Sequence, residues 1–85
     1  MRISMSQLKT LRKKHFLMQY DVCRYLDVSD VAYRTWELMI RRPSEKNYSH
    51  LKAFFTLLEN NCDQFNDRAS CLEFLDKEFV LDGEE

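Results

Sequence analysis

Apolar residues recur every three to four positions along most of the chain. Met5, Leu8 and Leu11 share one face of a helix predicted over residues 5–15, with Lys9, Lys13 and Lys14 pointing elsewhere. Ser4 or Ser6 is placed to cap its start. Val22, Cys23 and Leu26 form the inner stripe of a short second helix, residues 19–26. A third, from 30 to about 40, carries Tyr33, Trp36 and Ile40 at helical spacing. Ser29 is its expected N-cap, and Asp30 in the first turn suits the helix dipole. Pro43 interrupts the pattern, so residues 41–47 read as a loop. Leu51, Phe54, Phe55 and Leu58 line one face of a fourth helix, residues 48–60, with Asn60 and Asn61 as its stop. Cys71, Leu72, Leu75 and Phe79 mark a fifth, from about 68 to 79, and residues 82–85 are expected to be mobile.

Composition supports the helices. The chain has 85 residues but only one glycine, Gly83, and one proline, Pro43. Sheets joined by tight turns usually need more of both, so the fold class predicted is all-α, a compact domain of about five helices. A domain this small buries a limited core, so support from a second copy would be unsurprising. No apolar run approaches the ~20 residues that span a membrane. The opening residues, Met1 to Met5, lack the apolar segment of a secretory signal. Three cysteines, Cys23, Cys62 and Cys71, form an odd count without metal-like spacing, which suggests a reduced, cytoplasmic protein. His15 and His50 match no zinc pattern with them and are expected at the surface or half-buried. No paired carboxylates, metal cluster or glycine-rich phosphate loop argue for an enzyme, so no catalytic residue, cofactor or metal is expected.

Charge sharpens the picture. Residues 1–52 hold 11 Lys/Arg against five Asp/Glu, whereas residues 53–85 hold two against nine. The whole-chain net charge of −1 conceals this separation. A basic first part suits a polyanionic partner, and an acidic second part should face away from it. The chain thus divides into a candidate binding domain, residues 1–60, and an acidic helical extension, residues 61–85. The extension's stripe of Leu72, Leu75 and Phe79 either forms a dimer surface or folds back onto the first and fourth helices.

The second and third helices are separated only by Asp27, Val28 and Ser29, so they must cross steeply. Close helix contact calls for a small residue, supplied by Cys23. The turn needs a residue near left-handed geometry, and Asp27 is among the few non-glycine types that tolerate it. Val22, Leu26, Val28, Tyr33 and Trp36 fill the inside of the corner.

Residues 17–39 resemble, without a gap, the Cro/XRE-type helix-turn-helix domains of phage repressors and small bacterial regulators. Leu17, Gln19, Leu26, Val28, Ser29, Trp36 and Glu37 match that family's pattern outright, and Val22, Cys23 and Tyr33 replace its residues conservatively. Leu8, Leu11 and Arg12 resemble its first helix, so the resemblance implies an Arg12–Glu37 ion pair. Asp27 and Met39 stand where the family usually has glycine. A mildly strained turn is expected at the first, and a longer third helix at the second.

The resemblance implies a sequence-specific regulator of transcription, a repressor of autoregulatory, phage or mobile-element type. It would bind double-stranded DNA through the major groove. A homodimer would read a palindromic operator with half-sites about 34 Å apart. Base contacts are expected from Asp30, Val31, Arg34 and Thr35, with Arg34 able to fork onto guanine. Asp30 either accepts from a cytosine amino group or only caps the helix. Backbone contacts are expected from Gln19, Tyr20, Arg24, Ser29, Arg41, Arg42 and Lys46. Arg12, Cys23, Tyr33, Trp36 and Glu37 are read as structural. Two rivals remain: an antitoxin that holds a toxin through its C-terminal part, and a protein-interaction adaptor that keeps the fold without DNA.

Overall fold

A computed structural model describes residues 2–81; the tail expected to be mobile, residues 82–85, lies outside the described residues. The described chain forms α1 (Leu8–Lys14), α2 (Gln19–Leu26), α3 (Asp30–Glu37), α4 (Glu45–Asn60) and α5 (Arg68–Glu78), with single 3-10 turns at Met5–Gln7 and Cys62–Gln64. No strand occurs among the described residues. The all-α expectation holds, and none of these helices is long and apolar enough to cross a membrane.

The first three helices close in the same way. At the end of α1, Leu17 N–H donates to the Arg12 carbonyl (3.0 Å) around Phe16, whose φ is 68°. At the end of α2, Val28 N–H donates to the Cys23 carbonyl (3.1 Å) around Asp27, with φ 56°. At the end of α3, Ile40 N–H donates to the Thr35 carbonyl (2.9 Å) around Met39, with φ 60°. Each is the left-handed helix stop that glycine usually supplies. Asp27 behaves as expected. Met39 does not, because it adopts the left-handed conformation itself and α3 ends at Glu37 instead of running on. Ile40, expected inside, is therefore thrown outward and stands 67% exposed. Phe16 carries no sequence signal for positive φ, and it ends α1 before His15.

Helix starts follow side-chain caps. Ser29 accepts from Ala32 N–H at 3.0 Å, and Ser44 accepts from Asn47 N–H at 3.2 Å. The second cap starts α4 at Glu45, inside the segment expected to be a loop. Asp67 and Ser70 cap α5 reciprocally, each side chain accepting from the other's backbone N–H at 2.8 and 3.2 Å.

One hydrophobic cluster joins all five helices. Leu8, Val22, Tyr33, Leu51, Phe54, Phe55, Leu58, Cys71 and Leu75 are fully buried in it. The apolar stripe of α5 is part of this core and not a free surface: Leu75 is enclosed, and Phe79 meets Phe54 edge-on at 5.1 Å. It folds back onto α2 as well as α4, since the Tyr25 hydroxyl donates to Asp76 at 2.5 Å and lies 3.2 Å from the Leu72 carbonyl. Residues on either side of position 60 thus pack as one body. His15 also departs from expectation. It is 1% exposed, its Nε2 lies 2.9 Å from Glu59 Oε2, and Phe65 meets its ring edge-on at 5.9 Å.

Candidate nucleic-acid interface

Helix α3 is amphipathic in the sense the periodicity predicts. Tyr33 and Trp36 face inward, 0% and 4% exposed, and meet edge-to-face at 5.8 Å. Asp30, Val31 and Arg34 face outward. Thr35 is only half-buried, and its hydroxyl donates to the Ala32 carbonyl at 2.6 Å, so it presents less than the full exposure expected. Ser29 spends its hydroxyl oxygen on the helix cap.

A buried polar network holds α3 against α1 and α2. Arg12 forks onto Glu37, Nε to Oε2 at 2.6 Å and Nη2 to Oε1 at 3.1 Å, and its Nη1 reaches the Leu17 carbonyl at 3.2 Å. This is the pair the resemblance implied. Gln19 Nε2 donates to Glu37 Oε1 at 3.0 Å. Burial alone would raise the Glu37 carboxyl, but the donors from Arg12 and Gln19 outweigh it and hold it below its ordinary value. Gln19, expected on DNA phosphate, thus turns one amide donor inward as a strut while it also lines the outer cleft.

The remaining candidates separate. A shallow cleft of about 550 Å³ is lined by Lys13, Met18, Gln19, Tyr20, Asp30 and Arg34, among others, so α2's first turn and α3's outer face share one surface. A second groove of about 630 Å³ has Arg2, Met39, Arg41, Arg42 and Tyr48 in its lining. Lys46 is exposed in the first turn of α4. Arg24 belongs to neither group. Its guanidinium sits 4.8 Å from the Tyr25 ring centre and donates to the Tyr25 hydroxyl at 3.1 Å, which draws it toward α5.

The described ion pairs engage Arg12, Lys14 and Arg68. Arg34, Arg41, Arg42 and Lys46 have no such partner among the described residues. Cys23 packs the corner at 4% exposure, and its Sγ donates weakly to the Ser29 carbonyl at 3.8 Å. Burial, with the Asp30 carboxylate nearby, pushes its thiol up to about 12, so it stays protonated.

Sequence reasoning missed a second ion pair, enclosed on its acidic side. Asp21 is 1% exposed, and Arg68 of α5 forks onto it with both bonds at 2.8 Å. The two lie 47 positions apart, beyond any local pattern. It also missed the row Leu38, Met39 and Ile40, 59%, 63% and 67% exposed, which follows from the left-handed stop at Met39. Among the described residues no group of three or more His, Cys, Asp or Glu side chains is placed to hold a metal. Compared with family models, with curated proteins and with solved structures, the chain has no match in any of the three.

Proposed function

We propose that this protein is a sequence-specific duplex DNA-binding regulator of transcription, acting as a repressor. The observation that carries the reading is the outer face of α3. Arg34 stands exposed there beside Asp30 and Val31, without an ion-pair partner among the described residues, on a helix locked from behind by Arg12, Glu37 and Trp36. A rigid helix with unspent donors and an apolar contact is what reading base edges in a major groove requires. Arg41, Arg42 and Lys46 follow in the next loop and turn, where phosphate contacts would supply most of the affinity.

Selection of bound duplexes from a random DNA pool tests the reading. A palindromic consensus is the expected result and would also establish a homodimer. Arg34→Ala should then weaken the selected site by roughly 1–3 kcal/mol and relax preference at one base pair, with the fold intact. Affinity should fall steeply with salt, by a log–log slope near −0.9 per phosphate neutralised. Failure to enrich any sequence, with no duplex affinity at low salt, would overturn it. The exposed Leu38, Met39 and Ile40 favour one rival, a protein-binding adaptor, and that outcome would leave it standing.

A further inference from the structure

The Asp21–Arg68 pair touches, through Arg68, the Tyr20 side chain that lines the cleft with Arg34. Asp21 is enclosed, and its carboxylate accepts three N–H donors: Arg68 Nε and Nη2 at 2.8 Å each, and the Met18 backbone at 2.8 Å. Desolvation pushes this carboxyl upward, but those donors outweigh it and hold it below its ordinary value. Arg68 is thereby fixed in place by a fork that a lysine cannot reproduce.

The fixed guanidinium then acts on a neighbour. Arg68 Nη2 also donates to the Tyr20 hydroxyl at 2.7 Å, and its carbon lies 5.5 Å from the Tyr20 ring centre. A guanidinium has donors and no acceptor. The Tyr20 oxygen must therefore accept, and its own proton is directed to some other acceptor. Tyr20 is 51% exposed and lines the cleft together with Asp30 and Arg34. Donation into the phenol oxygen also strengthens the outgoing O–H as a donor.

We infer that Arg68 is a positioning residue that orients the Tyr20 hydroxyl as a hydrogen-bond donor to a phosphate oxygen of bound duplex DNA. The inference rests on the DNA-binding reading. It gives the C-terminal helix, acidic overall, a defined part in binding. It also makes a specific electrostatic claim. The Arg68 charge is spent on Asp21 and Tyr20 carries none, so this contact releases no counterion and leaves the salt slope unchanged.

The test is a salt series of dissociation constants for the full chain with a mixed-sequence duplex. It compares wild type, Tyr20→Phe, Arg68→Lys and the double variant, all at a temperature where each is folded by circular dichroism. Tyr20→Phe should weaken binding roughly three- to tenfold at every salt concentration, with the slope preserved. Arg68→Lys should weaken it by a similar factor, and should add little once Tyr20 is Phe. Independent, multiplying losses would overturn the inference. So would a Tyr20→Phe variant that binds like wild type, or one whose loss comes with a changed slope, which an uncharged contact cannot produce. Tyr20→Phe alters an exposed hydroxyl and keeps the inference open to refutation even if Arg68→Lys fails to fold. Wild type without duplex affinity would overturn the inference together with the DNA reading, whereas binding indifferent to Tyr20 would overturn the inference alone.

Discussion

Helices α1, α2 and α3 are seven or eight residues long, and each stops at a non-glycine residue of positive φ; α4 and α5 run to 16 and 11 residues and end at Asn61 and Phe79, both of negative φ. Helices as short as the first three are not stable alone. Their ends are imposed by packing and by the buried Arg12–Glu37–Gln19 network, and residues such as Phe16 and Met39 accept a left-handed backbone as a result. The last two helices supply the apolar mass that makes this tolerable. Leu51, Phe54, Phe55, Leu58 and Leu75 are all at 0% exposure. One region shapes a surface at some conformational cost, and the other stabilises the whole.

The comparison breaks most visibly if the two regions fold separately. Leu75→Ala, in α5, should cost about 2–5 kcal/mol. Trp36 fluorescence, a probe in α3, should lose its folded signal at the same lowered denaturant midpoint as helicity. A Trp36 transition left where wild type has it would mean that the first region stands without the second.

Breaking the first region from inside should cost nearly as much. Glu37→Gln leaves Arg12 buried without its charge partner, and should lower stability by about 3 kcal/mol in urea unfolding. If the midpoint barely moves, the network is ornamental and the short helices are held by apolar packing alone.

Acid titration separates the two kinds of buried group. Burial lowers the His15 value, outweighing the Glu59 bond, so the folded protein refuses a proton that the unfolded chain accepts. Its contribution is complete above the ordinary value near 6.5 and fades as pH falls toward the lower folded value. Glu37 behaves likewise around a lower window, present above 4.5 and lost as pH drops through its depressed folded value. Unfolding midpoints measured down the pH scale should show both losses in wild type. His15→Phe should flatten only the upper one, and an unchanged upper limb would show that His15 is not the group responsible.

How far the sequence reached follows the same division. The bounds of α2 and the left-handed Asp27 were legible, because periodicity, a three-residue gap and a tolerant residue type all agree locally. The outward set Asp30, Val31 and Arg34 was legible for the same reason. The Arg12–Glu37 pair was reached through family resemblance and not from local chemistry. Phe16 was not legible, since phenylalanine gives no hint of positive φ. Met39 was misread: loss of the expected glycine suggested a longer helix, yet packing imposed the turn and the residue complied. The Asp21–Arg68 fork and the burial of His15 against Glu59 depend on partners 44 to 47 positions away, where one-dimensional patterns say nothing.

The smallest effect is the most direct probe of the contrast. A non-glycine residue in left-handed geometry is disfavoured by roughly 1–2 kcal/mol, and glycine gives part of that back by loosening the unfolded chain. Met39 is 63% exposed, so its side chain contributes little packing. Met39→Gly should therefore raise stability by about 0.5–1 kcal/mol. Asp27→Gly should gain less, because aspartate already tolerates the geometry. Asn61→Gly, at the end of α4, should do the opposite: its φ of −131° needs no glycine, and the change removes the bond its side chain makes to the Leu57 carbonyl at 2.8 Å. Thermal melts of the three variants place them on one scale. If Met39→Gly loses as much as Asn61→Gly, the left-handed stops are not a cost confined to the first region, and the apolar mass of α4 and α5 has nothing there to offset.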